Sequence, residues 1–151
     1  MHSLVRRYIK TAIAFLFVGL GIGGWMITWR EVEEQFPSAY IVSAHSHAIL
    51  VGFVMMMILG VALWLFPRPD KNDPRYSPRQ AEVAYWLLAV GTSCRIVGEL
   101  ARAASSARSL RIGVAVAGWL QVAGLVLFFY TMWSRIRGLG SSTREARGER
   151  F

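Results

Sequence analysis

The chain holds a single cysteine, Cys94. One thiol excludes an intrachain disulfide, and it excludes any zinc or iron–sulfur centre built from cysteines alone. Proline is equally confined. Of five prolines, four fall in one stretch, "FPRPDKNDPRYSPRQ", and none interrupts a long apolar run. Acidic residues are scarce, nine against seventeen Lys and Arg, for a formal net charge of +8. A surplus of that size raises the question of nucleic acid. Its placement answers no, because the basic residues bracket apolar segments instead of forming one patch.

Those segments are what the sequence has in abundance. Hydrophobic residues make up 54% of the chain. They gather into Thr11 to Trp29, Ile41 to Phe66, Val83 to Ala104, and Ile112 to Trp133. Each reaches the roughly 20 residues that a helix needs to cross hydrocarbon. The first run is too long for a signal-peptide core, ends in Gly and Trp, and leads into further spans, so it reads as a retained helix. Helices satisfy their own backbone polar groups in lipid. The sequence therefore predicts an all-α, transmembrane, up-down four-helix bundle over residues 1–138, with helices at about 8–29, 41–66, 82–104 and 111–134. Residues 139–151 read as a flexible basic tail.

Charge sets the orientation. Arg6, Arg7 and Lys10, then Arg68, Lys71, Arg75 and Arg79, then Arg135, Arg137, Arg144, Arg147 and Arg150 all fall on one side. The other side has Arg30, Arg102, Arg108 and Arg111. By the positive-inside rule both termini are cytoplasmic, in a bacterial-type inner membrane. The acidic loop "REVEEQFPSAY" faces out. Trp25, Trp29, Tyr40, Trp64, Trp119 and Trp133 lie mostly near run ends, as interfacial aromatics do. Gly19 and Gly23, and on the fourth helix Gly113, Ala117 and Gly124, have spacings that let helices approach closely, within one chain ahead of between chains.

Polar residues inside the runs are expensive and point to function. The second run carries "HSH", His45 and His47; the third carries Arg95 and Glu99, an i,i+4 pair on one face. At 1.5 Å per residue the histidines lie roughly 6–10 Å below the outer end. Glu99 lies about 7 Å and Arg95 about 13 Å below the same end, so all four share one layer. Gln121 is a further polar candidate. Residues two apart on a helix point about 200° apart, so His45 and His47 do not converge on one metal. An axial haem ligand needs one imidazole only. Two neutral, hydrogen-bonded histidines are the plainer alternative, and Arg95–Glu99 can equally be a structural ion pair.

The stretch "HSHAILVGFVMMMILGVALWLFPR" resembles the second helix of the catalytic subunit of haem–copper oxidases, nearest the nitric oxide reductase and C-type branches. It also resembles the H-x-H helices of the NnrS membrane haem proteins. His45 falls where that helix carries the low-spin haem ligand, and His47 where the reductases carry asparagine; Gly52, Gly60 and "LFPR" fit the rest. The resemblance implies a haem b with iron held by His45 or, as a rival, His47. It implies a role in electron transfer or in binding a gas such as nitric oxide or oxygen, with a quinol or cytochrome as redox partner. Arg95, Arg102 or Arg30 would meet the propionates, Trp25, Trp29 or Tyr40 the edge, and Glu99 a ligating imidazole. The family's copper-site and high-spin haem histidines belong to later helices, and the third histidine here, His2, is far from this layer. Binuclear chemistry is thus not expected of this chain alone, and turnover would require a homo-oligomer, dimer or trimer, or another subunit. Met55, Met56 and Met57 start about 12 Å further down the helix and read as packing. Copper handling, or a structural membrane role without haem, is the alternative.

Overall fold

The computed structural model describes residues 3–66 and 77–136. His2, the basic residues Arg68, Lys71, Arg75, Arg137, Arg144, Arg147 and Arg150, and the tail at 139–151 lie outside the described residues. Four helices carry the fold, and no strand occurs among the described residues. They are α1 (Ser3–Glu31), α2 (Ala39–Leu65), α3 (Pro78–Ala104) and α4 (Arg108–Met132). Their 25 to 29 residues give lengths of roughly 38–44 Å, and all four are long and apolar enough to cross a membrane.

Successive helices run antiparallel, which the contacts trace directly. From the loop end inward, Gly23 faces His45, Gly19 faces Ile49, Gly52 faces Phe15, and Gly60 faces Tyr8. Across the α3–α4 seam, Gly98 faces Val114, Arg95 faces Gly118, and Gly124 faces Leu88. Ser43 reaches Glu99, and Tyr40 reaches Arg102, so α2 also lies against α3. The most apolar window of α3 is 44% buried and that of α1 17%, which makes α3 the central helix and α1 a lipid-facing one.

Pro78 opens α3 in the first turn, where its missing N–H costs nothing. At the end carrying the chain termini, Tyr8 is fully buried, edge-on to Tyr85 at 5.1 Å and to Phe128 at 5.9 Å between ring centres. Thr11 and Tyr85 share a hydroxyl hydrogen bond of 2.8 Å. Arg135 donates to the Leu63 and Phe66 carbonyls at 3.2 and 3.1 Å, closing the C-terminal end of α2.

One irregularity matters for the site. Residues His47–Met55 of α2 form a π-helix between α-helical Ala39–Ser46 and Met56–Leu65. Such wide turns are rare and frequently sit at functional positions. This one begins at the second histidine.

Candidate functional site

The two imidazoles leave α2 towards different helices, as their spacing requires. His45 turns to α1. Its Nδ1 lies 2.9 Å from the Gly19 carbonyl oxygen. A carbonyl only accepts, so Nδ1 carries the proton and Nε2 keeps its lone pair. Gly23 makes room for the ring: a Cβ there would sit 2.8 Å from Cε1. The close approach of Gly19 and Gly23 thus seats side chains of α2, His45 and Ile49. This is the close helix approach that their spacing predicts.

His47 turns to α3. Its Nδ1 lies 2.8 Å from the Ser43 carbonyl oxygen and 3.3 Å from the Ser43 hydroxyl. Glu99 Oε2 is also 3.3 Å from that nitrogen. Again the proton belongs on Nδ1, and Nε2 is the base.

Glu99 is 3% exposed, a buried carboxylate. Its Oε1 accepts from the Ser43 hydroxyl at 2.8 Å and from Arg95 Nε at 3.1 Å. Oε2 has no hydrogen-bond partner of good geometry. Arg95 extends the network: Nη1 donates to Gln121 Oε1 at 3.3 Å, and Gln121 Nε2 donates to Thr92 Oγ1 at 3.0 Å. Gly118 leaves room for this guanidinium: a Cβ there would stand 2.6 Å from Arg95 Nη1, which would have to shift. A buried ion pair is tolerable only when further hydrogen bonds support both ions, and this network supplies them to Arg95 and to Glu99 Oε1.

Arg102 lies one turn nearer the loop end. Its Nη2 donates to the Tyr40 hydroxyl at 2.5 Å, and its guanidinium carbon lies 4.5 Å from the Tyr40 ring centre. Arg30 pairs with Glu31 at 3.1 Å. Trp25 stacks on Trp29 at 5.0 Å between ring centres.

The structure therefore brings His47, Glu99 and Arg95 together, with Arg102 and Tyr40 beside them. His45 sits on another seam, and Trp25 at the loop end of α1. Ser43 and Thr92 were missed by sequence reasoning. Ser43 had a signal, its i,i+4 spacing to His47; Thr92 had none apart from its hydroxyl. Among the described residues, no group of three or more His, Cys, Asp and Glu side chains comes together as a metal site.

A model of the family described as cytochrome c and quinol oxidase polypeptide I matches residues 6–146. The chain belongs to that family. It is a haem–copper oxidase subunit I-like membrane protein, and members of this family bind haem and copper. No solved structure matches the chain. Within the family frame, the donor set around "HSH" suits haem better than a protein-only metal site. Each histidine is tied through Nδ1–H to a carbonyl, and that bond selects the tautomer with a coordinating Nε2.

Proposed function

We propose that this chain is a membrane-embedded haem b-binding protein that transfers electrons or binds nitric oxide or oxygen. His45 Nε2 is the iron ligand in this reading. The observation that carries it is the 2.9 Å hydrogen bond from His45 to the Gly19 carbonyl, in a chain whose family match spans nearly its whole length. The bond fixes both the tautomer and the plane of the ring. Trp25, on the helix that cradles His45, supplies an aromatic edge. When bound, haem provides a one-electron centre, or a gas site if one coordination position stays open. The chain's own residues orient the ligand, exclude water and hold countercharge.

A second arrangement is favoured by one observation, the 3.3 Å approach of Glu99 to His47. With His47 as ligand, Glu99 would steady the imidazole through Nδ1, while Arg95, Arg102 and Tyr40 would line the anionic rim. Copper handling without haem is the weaker reading, since the two histidines address different helices. The protein belongs, in this proposal, in a bacterial-type cytoplasmic membrane with both termini inside, next to a quinol or cytochrome partner and in a dimer or trimer that shields the macrocycle.

Absorption spectra of the detergent-purified protein, oxidised and dithionite-reduced, test this against His45→Ala and His47→Ala. A Soret band lost only in His45→Ala is the expected result, with unchanged helical circular dichroism in both variants. Loss only in His47→Ala selects the second arrangement. A colourless wild type, after expression with ample haem, rejects haem binding. Sharp reduced α-bands would indicate six-coordinate iron and electron transfer; bands that shift with carbon monoxide would indicate gas binding.

A further inference from the structure

Away from the His45 seam, the loop end of the bundle holds a cavity of about 300 Å³. Glu99 and Arg102 of α3 form its floor. Tyr40 and Ser43 of α2 line one wall, and Arg111 and Val114 of α4 line the other. The charges in it do not cancel. Glu99 is already paired with Arg95. Arg102 donates to Tyr40, yet its Nε is buried with no acceptor. Among the described residues the Arg111 guanidinium has no hydrogen-bond or ion-pair partner. A buried donor without an acceptor is costly, and two guanidinium groups beside one cavity repel. Helix α4 starts at Arg108 without a side-chain cap, so its first-turn N–H groups add to the positive field.

We propose that this cavity binds the phosphate group of an anionic phospholipid, held between Arg102 and Arg111. An oxyanion accepts from both guanidinium forks at once. Two features select a lipid over free phosphate. First, Arg102 lies two residues from the end of α3 and Arg111 three from the start of α4. Both thus lie within about 5 Å of the helix ends, at the depth of lipid headgroups. Second, Glu99 lines the same cavity as the two arginines. A carboxylate there disfavours a dianion. Free phosphate near neutral pH is a mixture of monoanion and dianion, whereas a lipid phosphodiester carries a single charge. This inference rests on the His45 arrangement of the proposed haem, since the His47 arrangement would give Arg102 and Tyr40 to the haem rim; the test itself does not read haem.

Native mass spectrometry of the delipidated full chain in detergent tests it, with dioleoyl-phosphatidylglycerol as the probe. The comparators are dioleoylglycerol, which has the same chains without phosphate, and inorganic phosphate at matched ionic strength. Arg111→Gln should weaken lipid retention about tenfold, the loss of one charge-assisted contact. Its melting temperature without lipid should not change, because the side chain is exposed and unpaired. Arg108→Gln, an exposed arginine outside the cavity, should weaken retention less than about threefold. Equal losses in the two variants would overturn the proposal in favour of diffuse surface attraction. Equal retention of dioleoylglycerol would overturn it in favour of apolar binding. Displacement of the lipid by low millimolar phosphate would make the site one for a free oxyanion.

Discussion

The two ends of the bundle solve the same packing problem with opposite materials. At the end with the chain termini, Tyr8, Tyr85 and Phe128 close the interior edge to face, and the ion pair Arg7–Glu82 stays outside with both side chains 49% exposed. At the loop end the interior is polar. Glu99 is buried, and Ser43, Arg95, Gln121 and Thr92 extend from it through hydrogen bonds. A membrane bundle gains nothing by hiding charge, since each polar group must find a partner that water would otherwise provide. At the other end the buried Arg135 and Thr131 bond backbone carbonyls, so a side-chain network centred on a buried carboxylate is a sign of use at the loop end, and the aromatic end serves as the comparison.

The largest break in that contrast should come from Glu99→Leu. Removing one partner of a buried pair leaves Arg95 uncompensated, which costs about 3–5 kcal/mol. Removing both, in Arg95→Leu/Glu99→Leu, should cost clearly less than the single change, because no orphan charge remains. Thermal melting in detergent, read by circular dichroism, checks the order. A double variant less stable than Glu99→Leu would mean that the network holds α3 to α2 and α4 by more than mutual neutralisation. At the other end Tyr8→Ala should cost about 3–5 kcal/mol by a different route, loss of packing around an aromatic ring. No second substitution should rescue it.

Much of this was legible in the sequence, and the limit has a physical cause. Hydropathy needs only composition over some twenty residues, so the four spans and their antiparallel order could be read directly. Depth needs only the rise per residue, so His47, Glu99 and Arg95 could be placed in one layer, where they lie. Rotation about the helix axis was not legible. The sequence says that His45 and His47 diverge; it does not say that His45 meets the Gly19 carbonyl while His47 takes Glu99. The π-helix at His47–Met55 adds a twist that no regular period anticipates. Gly23 and Gly118 carried a hidden signal as well. Gly23 read as a helix–helix contact and Gly118 was not singled out, yet each admits a side chain of the candidate site, the His45 ring and the Arg95 guanidinium.

That equivalence yields an intermediate effect. Gly23→Ala places a methyl group against the His45 ring, and Gly118→Ala places one against Arg95 Nη1, a flexible tip. Overpacking of this kind costs about 1–3 kcal/mol. Gly118→Ala should fall at the low end, because the guanidinium can shift. Gly23→Ala must move the imidazole off the Gly19 carbonyl, so it should also alter the Soret band of the haem-loaded protein if His45 is the ligand. An unchanged spectrum in Gly23→Ala, with the Gly118→Ala spectrum shifted, would move the ligand role to the His47 side.

The smallest effect should fall on Arg7–Glu82, and its size decides whether the two ends differ in kind. The pair is close, 2.6 Å between Nη1 and Oε1, and it bridges α1 to α3. Distance alone would rank it above Arg95–Glu99, at 3.1 Å. Exposure reverses the ranking: a solvated pair is worth about 0–1 kcal/mol, and salt screens it. Arg7→Gln should therefore lower the melting temperature by no more than about 2–4 °C, the shift expected for 1 kcal/mol in a chain of this size. That difference should vanish in high salt, where the Glu99→Leu loss should persist. If Arg7→Gln instead costs as much as Glu99→Leu, the outer pair is shielded by lipid headgroups or a neighbouring subunit, and the terminus end is a second buried polar site.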